Sequence, residues 1–119
     1  MKDLFRFILI LLQITFFVAT TFAQDQTEER ITDYLSMGNY KAAIPLYQKL
    51  IKKNPNDLEL KYNLGKCLLK TKGSPKEIIN LIEPALPALK QEAEPYYYLG
   101  QAYQHDLQFD KAIEYYIKA

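Results

Sequence analysis

The chain has 119 residues, of which 49% are apolar and 24% charged, with a formal net charge of +1. That leaves room for one domain and excludes a disordered or collagen-like chain. With Lys52-Lys53 its only basic cluster, the balanced charge lacks the footprint that phosphate backbones require, so no nucleic-acid partner is expected.

The amino terminus reads as an address. Lys2 and Arg6 precede the apolar run FILILLQITFFV at Phe7–Val18, and Thr21 and Ala23 precede a polar stretch from Gln24. A basic start, an apolar core and small residues before a polar break compose a secretory signal peptide over 1–23. The rival is a retained anchor, but Phe7 to Ala23 is short for a span and Gln13 interrupts it. A lipid anchor needs cysteine at the new amino terminus, where Gln24 stands. The expectation is export to a periplasm or outer-membrane-associated site, with membrane contact only if the segment is retained. Removing it deletes Lys2, Arg6 and Asp3 and leaves a net charge of zero.

The remainder repeats itself. Gly38-Asn39-Tyr40-Lys41-Ala42-Ala43-Ile44-Pro45-Leu46-Tyr47 aligns with Leu107 to Tyr116, and Tyr62-Asn63-Leu64-Gly65 aligns with Tyr97-Tyr98-Leu99-Gly100. Units at 24–57, 58–92 and 93–119 follow, the last incomplete. Helix signals agree with them. Gly38 and Gly73 suit left-handed helix ends. Ser74-Pro75-Lys76-Glu77 has the form of a capping box, Asn56 or Asp57 can cap the next helix, and Pro95 can open another. The second unit carries an extra residue near Lys72-Gly73. Its Pro84 and Pro87 should end or bend the helix near Glu83 and leave a short turn over 85–91, since an interior proline costs roughly 3 kcal/mol. Pro45 lies early enough in its helix to be milder.

A period of this length, with a Leu-Gly pair, a later small residue (Ala43, Ala112) and a closing proline (Pro55), resembles the tetratricopeptide repeat family. Large residues at Tyr34, Leu68 and Tyr103, and again at Tyr47, Ile82 and Tyr116, fit the same pattern. The resemblance implies an all-α solenoid of about three antiparallel helix pairs, each burying its apolar stripe against the next. Glycine is expected where paired backbones nearly touch. The first unit departs from the pattern, with Arg30-Ile31 in place of Leu-Gly. Together with the leader, GNYKAAIPLYQKLIKKNPNDLELKYNLGKCLL and EPYYYLGQAYQHDLQFDKAIEYY resemble the amino-terminal repeat segment of exported bacterial envelope proteins. In those proteins later domains include an OmpA-like module.

Catalytic chemistry is not visible. Paired carboxylates, metal-ligand spacings, phosphate loops and nucleophile motifs do not occur, so no enzyme, metal or cofactor is expected. Cys67 reads as a small buried hydrophobe and His105 as a polar residue near a helix end. The family resemblance instead implies a binding groove lined by the first helix of each pair. Its candidates are Glu59, Tyr62, Asn63, Lys66, Lys70, Tyr97, Tyr98, Gln101 and Gln104, flanked by Leu69, Glu94 and His105. Glu28 and Glu94 stand where the chaperone-tail subfamily needs lysines, which disfavours that role. A protein or peptide partner, neutral or modestly basic, is expected in an envelope scaffold. The alternative is an accessory repeat region of a larger envelope enzyme or secretion-machinery protein. Self-association through an open carboxy-terminal end is a further expectation.

Overall fold

The computed structural model describes residues 1–89 and 92–119, without the side chains of 21–25. Among the described residues seven helices follow in order: α1 (Lys2–Ser36), α2 (Tyr40–Lys53), α3 (Leu58–Lys70), α4 (Pro75–Ile82), α5 (Leu86–Leu89), α6 (Glu94–His105) and α7 (Phe109–Lys118). A 3-10 turn at Glu83–Ala85 joins α4 to α5, and no strand occurs among the described residues. The fold is all-α. Helices pack as successive antiparallel pairs, α1 with α2, α3 with α4 and α6 with α7, while α2 meets α3 and α4 meets α6.

Three turns of one design set these pairs. Gly38, Lys72 and Leu107 take φ values of 67°, 58° and 61°. In each turn the following residue's N–H reaches back five positions to the helix: Asn39 to Tyr34, Gly73 to Leu68 and Gln108 to Tyr103, at 2.8, 2.7 and 2.9 Å. This is the Schellman stop, which satisfies carbonyls that a helix end leaves open. Gly73 was expected to be the left-handed residue of the second pair, but Lys72 holds that place and Gly73 follows it. The extra residue of this turn lies beyond the stop, between Lys72 and the first residue of α4, and so shifts the apparent register.

Helix starts are set by side chains where the sequence allows. Asp57 Oδ1 accepts from the Leu60 N–H at 3.1 Å, and Asn39 Oδ1 from the Ala42 N–H at 3.2 Å. Ser74 stands at the start of α4 but its hydroxyl makes no capping bond, so the expected capping box does not form. Pro75 opens α4 instead, with φ already suited to a helix and no N–H to satisfy. Pro84 and Pro87 act as expected: α4 stops at Ile82, and a 3-10 turn and the short α5 carry the chain onward. Of the short turn expected over 85–91, residues 90 and 91 lie outside the described residues.

The core runs through the stack. Leu50, Ile78, Ile82, Leu99 and Pro95 are fully buried, and Ala43 and Ala112 keep α2 and α7 close to their partner helices. Each large apolar side chain removed from water contributes about 1.5–3 kcal/mol. The Leu-Gly pairs serve this packing differently from the expected backbone contact. A Cβ on Gly65 would lie 2.6 Å from Ile82 Cγ1, and one on Gly100 2.6 Å from Tyr116 ring carbons. Each glycine is a socket for a side chain of the second helix. In the first pair the buried Ile31 occupies the corresponding place.

α1 runs without interruption from Lys2 through the expected leader junction to Ser36. Its first part, Lys2–Thr20, has a mean hydropathy of 1.8, is 0% buried and is long and apolar enough to cross a membrane. An apolar leader near the amino terminus meets the same description.

Candidate functional site

α3 and α6 stand side by side, and their facing residues form one continuous wall. Its centre is Lys66. The Lys66 Nζ lies 3.0 Å from Glu94 Oε1, 5.2 Å from the centre of the Tyr62 ring and 5.6 Å from that of Tyr98. Lys70, one turn on, places its ammonium 5.8 Å from the Tyr98 ring. Lys66 and Lys70 of α3 thus both reach towards α6, held by ring quadrupoles and one carboxylate.

The electrostatics follow from this packing. Burial raises the Glu94 pKa, yet Lys66 and the nearby Tyr98 and Tyr62 hydroxyls outweigh it, so the carboxyl sits below its ordinary value. Burial, then Glu94, pushes Tyr98 up to about 12. The same causes raise Tyr62, whose hydroxyl is buried with no hydrogen-bond partner among the described residues. An acid already matched by Lys66 is a weak attractor for a cationic ligand.

Two crevices open along this wall. The first has a volume of about 330 Å³, lies between the first turn and α3, and is lined by Leu35, Tyr40, Tyr47, Asn63, Lys66, Cys67, Lys70, Glu94 and Tyr98. The second, of about 630 Å³, lies between the second turn and α6, against Leu69, Lys70, Lys72, Gly73, Pro75, Ile78, Gln101 and His105. They are repeat equivalents: Leu69 stands where Leu35 does, Pro75 where Tyr40 does, Gln101 where Lys66 does and His105 where Lys70 does.

The periodic helix pairs, identical stops and socket glycines are those of one family, and the tetratricopeptide repeat family model matches residues 34–88. Residues 34–88 are tetratricopeptide repeats. A search of curated proteins returns no match. Tetratricopeptide repeats generally mediate protein–protein contacts, and the family typically serves as a scaffold without catalysis.

Within this tetratricopeptide fold the candidate residues divide by position. Asn63, Lys66, Lys70, Tyr98 and Gln101 line the crevices, with Leu69, Glu94 and His105. Tyr62 is 4% exposed and lies beneath Lys66, where it supports the wall. Glu59 is exposed on α3 but lines neither crevice. Tyr97 and Gln104 turn towards α7: the Tyr97 ring packs 5.9 Å from Tyr116, and the Tyr116 hydroxyl donates to Gln104 at 2.7 Å. Among the described residues no group of three or more His, Cys, Asp or Glu side chains could hold a metal ion. Cys67 is buried, and burial pushes its thiol up from the ordinary value.

Sequence reasoning missed Leu35, at the end of α1, and Tyr40, Tyr47, Lys72, Pro75 and Ile78, which come from the turns and second helices. The repeat alignment of Tyr40 with Phe109 gave their register but not their contribution to the wall. A separate cluster was also missed. The Tyr103 and Tyr115 hydroxyls both donate to Glu83 Oε1, at 2.9 and 2.7 Å, and their rings stack 5.4 Å apart. This ties the proline-interrupted end of the second pair to both helices of the third.

Proposed function

We propose that the chain is an exported interaction scaffold that holds an extended peptide or a helix of a protein partner along the α3–α6 wall. The observation that carries the reading is the pair of equivalent crevices on one wall, with Lys70 bordering both and half-buried Tyr98 lining the first. Tyrosine offers apolar area and a hydroxyl at low entropic cost, which suits such a surface. Residues 1–23 serve in this reading as the export signal and 24–119 as the repeat domain, in units 24–57, 58–92 and 93–119. The exposed apolar helix Lys2–Thr20 supports a role in export, and periplasm or outer membrane is the proposed site.

Selection from a random dodecapeptide library on the full chain tests the binding reading. Wild type should enrich peptides that Tyr98→Ala loses while keeping its helical spectrum. Equal capture by both proteins would overturn the α3–α6 wall as the site.

A second contact is favoured by α7, where Phe109, Ile113 and Ile117 are 57%, 57% and 78% exposed along one stripe. We propose that a second copy covers it through the same stripe. Head-to-tail stacking is disfavoured because α1 presents exposed Gln26, Arg30 and Asp33 at the places of Leu60, Leu64 and Cys67. Asp110 and Lys118 flank the stripe at opposite ends and meet in an antiparallel pair, where Lys118 is shared with its own Glu114, 2.8 Å away. Sedimentation should show a dimer that Ile113→Lys converts to monomer; a concentration-independent monomer for wild type would refute it.

A further inference from the structure

The two crevices share a backbone plan and differ in charge, and that difference points to the chemistry of the partner. In the first, Lys66 is paired with Glu94 at 3.0 Å, so cation and anion are already matched. In the second, no carboxylate among the described residues lines the space. Its polar lining comes from Lys70, Lys72, His105 and Gln101, around a floor of Leu69, Pro75 and Ile78. Neither Lys70 nor Lys72 has an ion-pair partner among the described residues.

Both the larger volume and the added cation trace to the second turn. Pro75 replaces the bulky Tyr40 of the first crevice, and the additional residue after Lys72 sets α4 back. Lys72 holds the left-handed position filled by Gly38 in the first turn, at a φ of 58° that a β-carbon tolerates poorly. A lysine there supplies charge where a glycine would relieve strain. Lys70 borders both crevices, so a ligand running along the wall passes from the tyrosine-rich pocket to the cationic one.

We propose that the second crevice receives the carboxylate of an aspartate or glutamate in an extended partner segment. A neighbouring apolar side chain of that segment rests on Leu69 and Ile78. The inference rests on the α3–α6 wall being the binding surface. It departs from the neutral or modestly basic peptide expected of a mixed, tyrosine-rich wall, because Glu94 is neutralised within the wall while Lys70 and Lys72 are not. Carboxylate capture here uses the turn lysine and α3, and needs no lysine at Glu28 or Glu94.

Selection of random dodecapeptides on the full chain, compared with a Lys70→Glu/Lys72→Glu variant, tests it. Both positions are exposed, and circular dichroism verifies that the variant keeps its fold. Wild type should enrich Asp and Glu, the variant Lys and Arg. Replacing the enriched acid of a wild-type peptide by its amide should weaken binding about tenfold or more, as loss of a charge-assisted bond does. Peptides captured on the wall without acidic enrichment would overturn this inference and leave the groove reading standing. Absence of any peptide sensitive to Tyr98→Ala would overturn both.

Discussion

Tyr62 and Tyr97 occupy the same place on the first helix of successive pairs, yet one is 4% exposed and the other 48%. The residues are alike; what differs is the neighbour. α6 covers the second pair, whereas the described residues place nothing over the outward side of the third. The second helices repeat the contrast: Ile79 on α4 is 8% exposed, and Ile113, its counterpart on α7, is 57%. Burial in a stacked repeat is therefore a nearest-neighbour property, set less by the residue than by the pair that follows. The amino-terminal side answers the same problem chemically. Arg30 and Asp33 replace the buried Leu64 and Cys67 on a side of α1 over which the described residues place no helix pair.

The comparison can be broken most strongly at the socket glycines. Gly65→Ile places a side chain against Ile82, itself 0% exposed and unable to retreat, and should cost about 3 kcal/mol or more. Gly100→Ile meets the Tyr116 ring, which is only partly buried and can swing outwards, so the loss should be about 1–2 kcal/mol. Urea denaturation of both variants measures the gap. Equal losses would mean that cover by the next pair does not stiffen the socket.

Alkali probes the covered side of the comparison next. Burial pushes Tyr47 and Tyr103 up to about 12, and Tyr62 and Tyr115 are raised as well. A raised tyrosine favours the protonated folded state, so its contribution is complete below pH 10, the ordinary value, and falls as pH rises towards 12. Absorbance of tyrosinate should therefore rise cooperatively with loss of helix above pH 10. Independent ionisation with the helical spectrum unchanged would contradict this packing.

Smaller effects belong to the turns. Leu107→Gly and Lys72→Gly remove a β-carbon from the left-handed region and should each stabilise the fold by about 1 kcal/mol, while Gly38→Ala should destabilise it by a similar amount. Thermal melting of the three variants checks the shared design of the stops. A loss of stability in Lys72→Gly would show that the lysine contributes packing beyond its charge.

The helical periodicity, the proline break after Ile82, and Asp57 as a cap were legible because each depends on residues close in sequence. Gly73 was misread because the insertion lies just past the stop, where glycine suits either place and only backbone geometry decides. The socket role of Gly65 was hidden for another reason: Ile82, which fills it, arrives from a different helix. The second crevice was the least legible part. It needs a turn, α4 and α6 together, and spacing within any one helix does not report that meeting. His105, a bland helix-end residue in sequence, becomes part of a cationic pocket only when α6 stacks on the second turn.

The wall formed by α3 and α6 is best tested by placing a photo-crosslinking residue at His105, within the second crevice, or at Gln48, on α2 away from it. A bound peptide selected on the full chain should crosslink at position 105 and not at 48. Crosslinking confined to position 48 would move the binding surface to the other side of the solenoid and contradict the account.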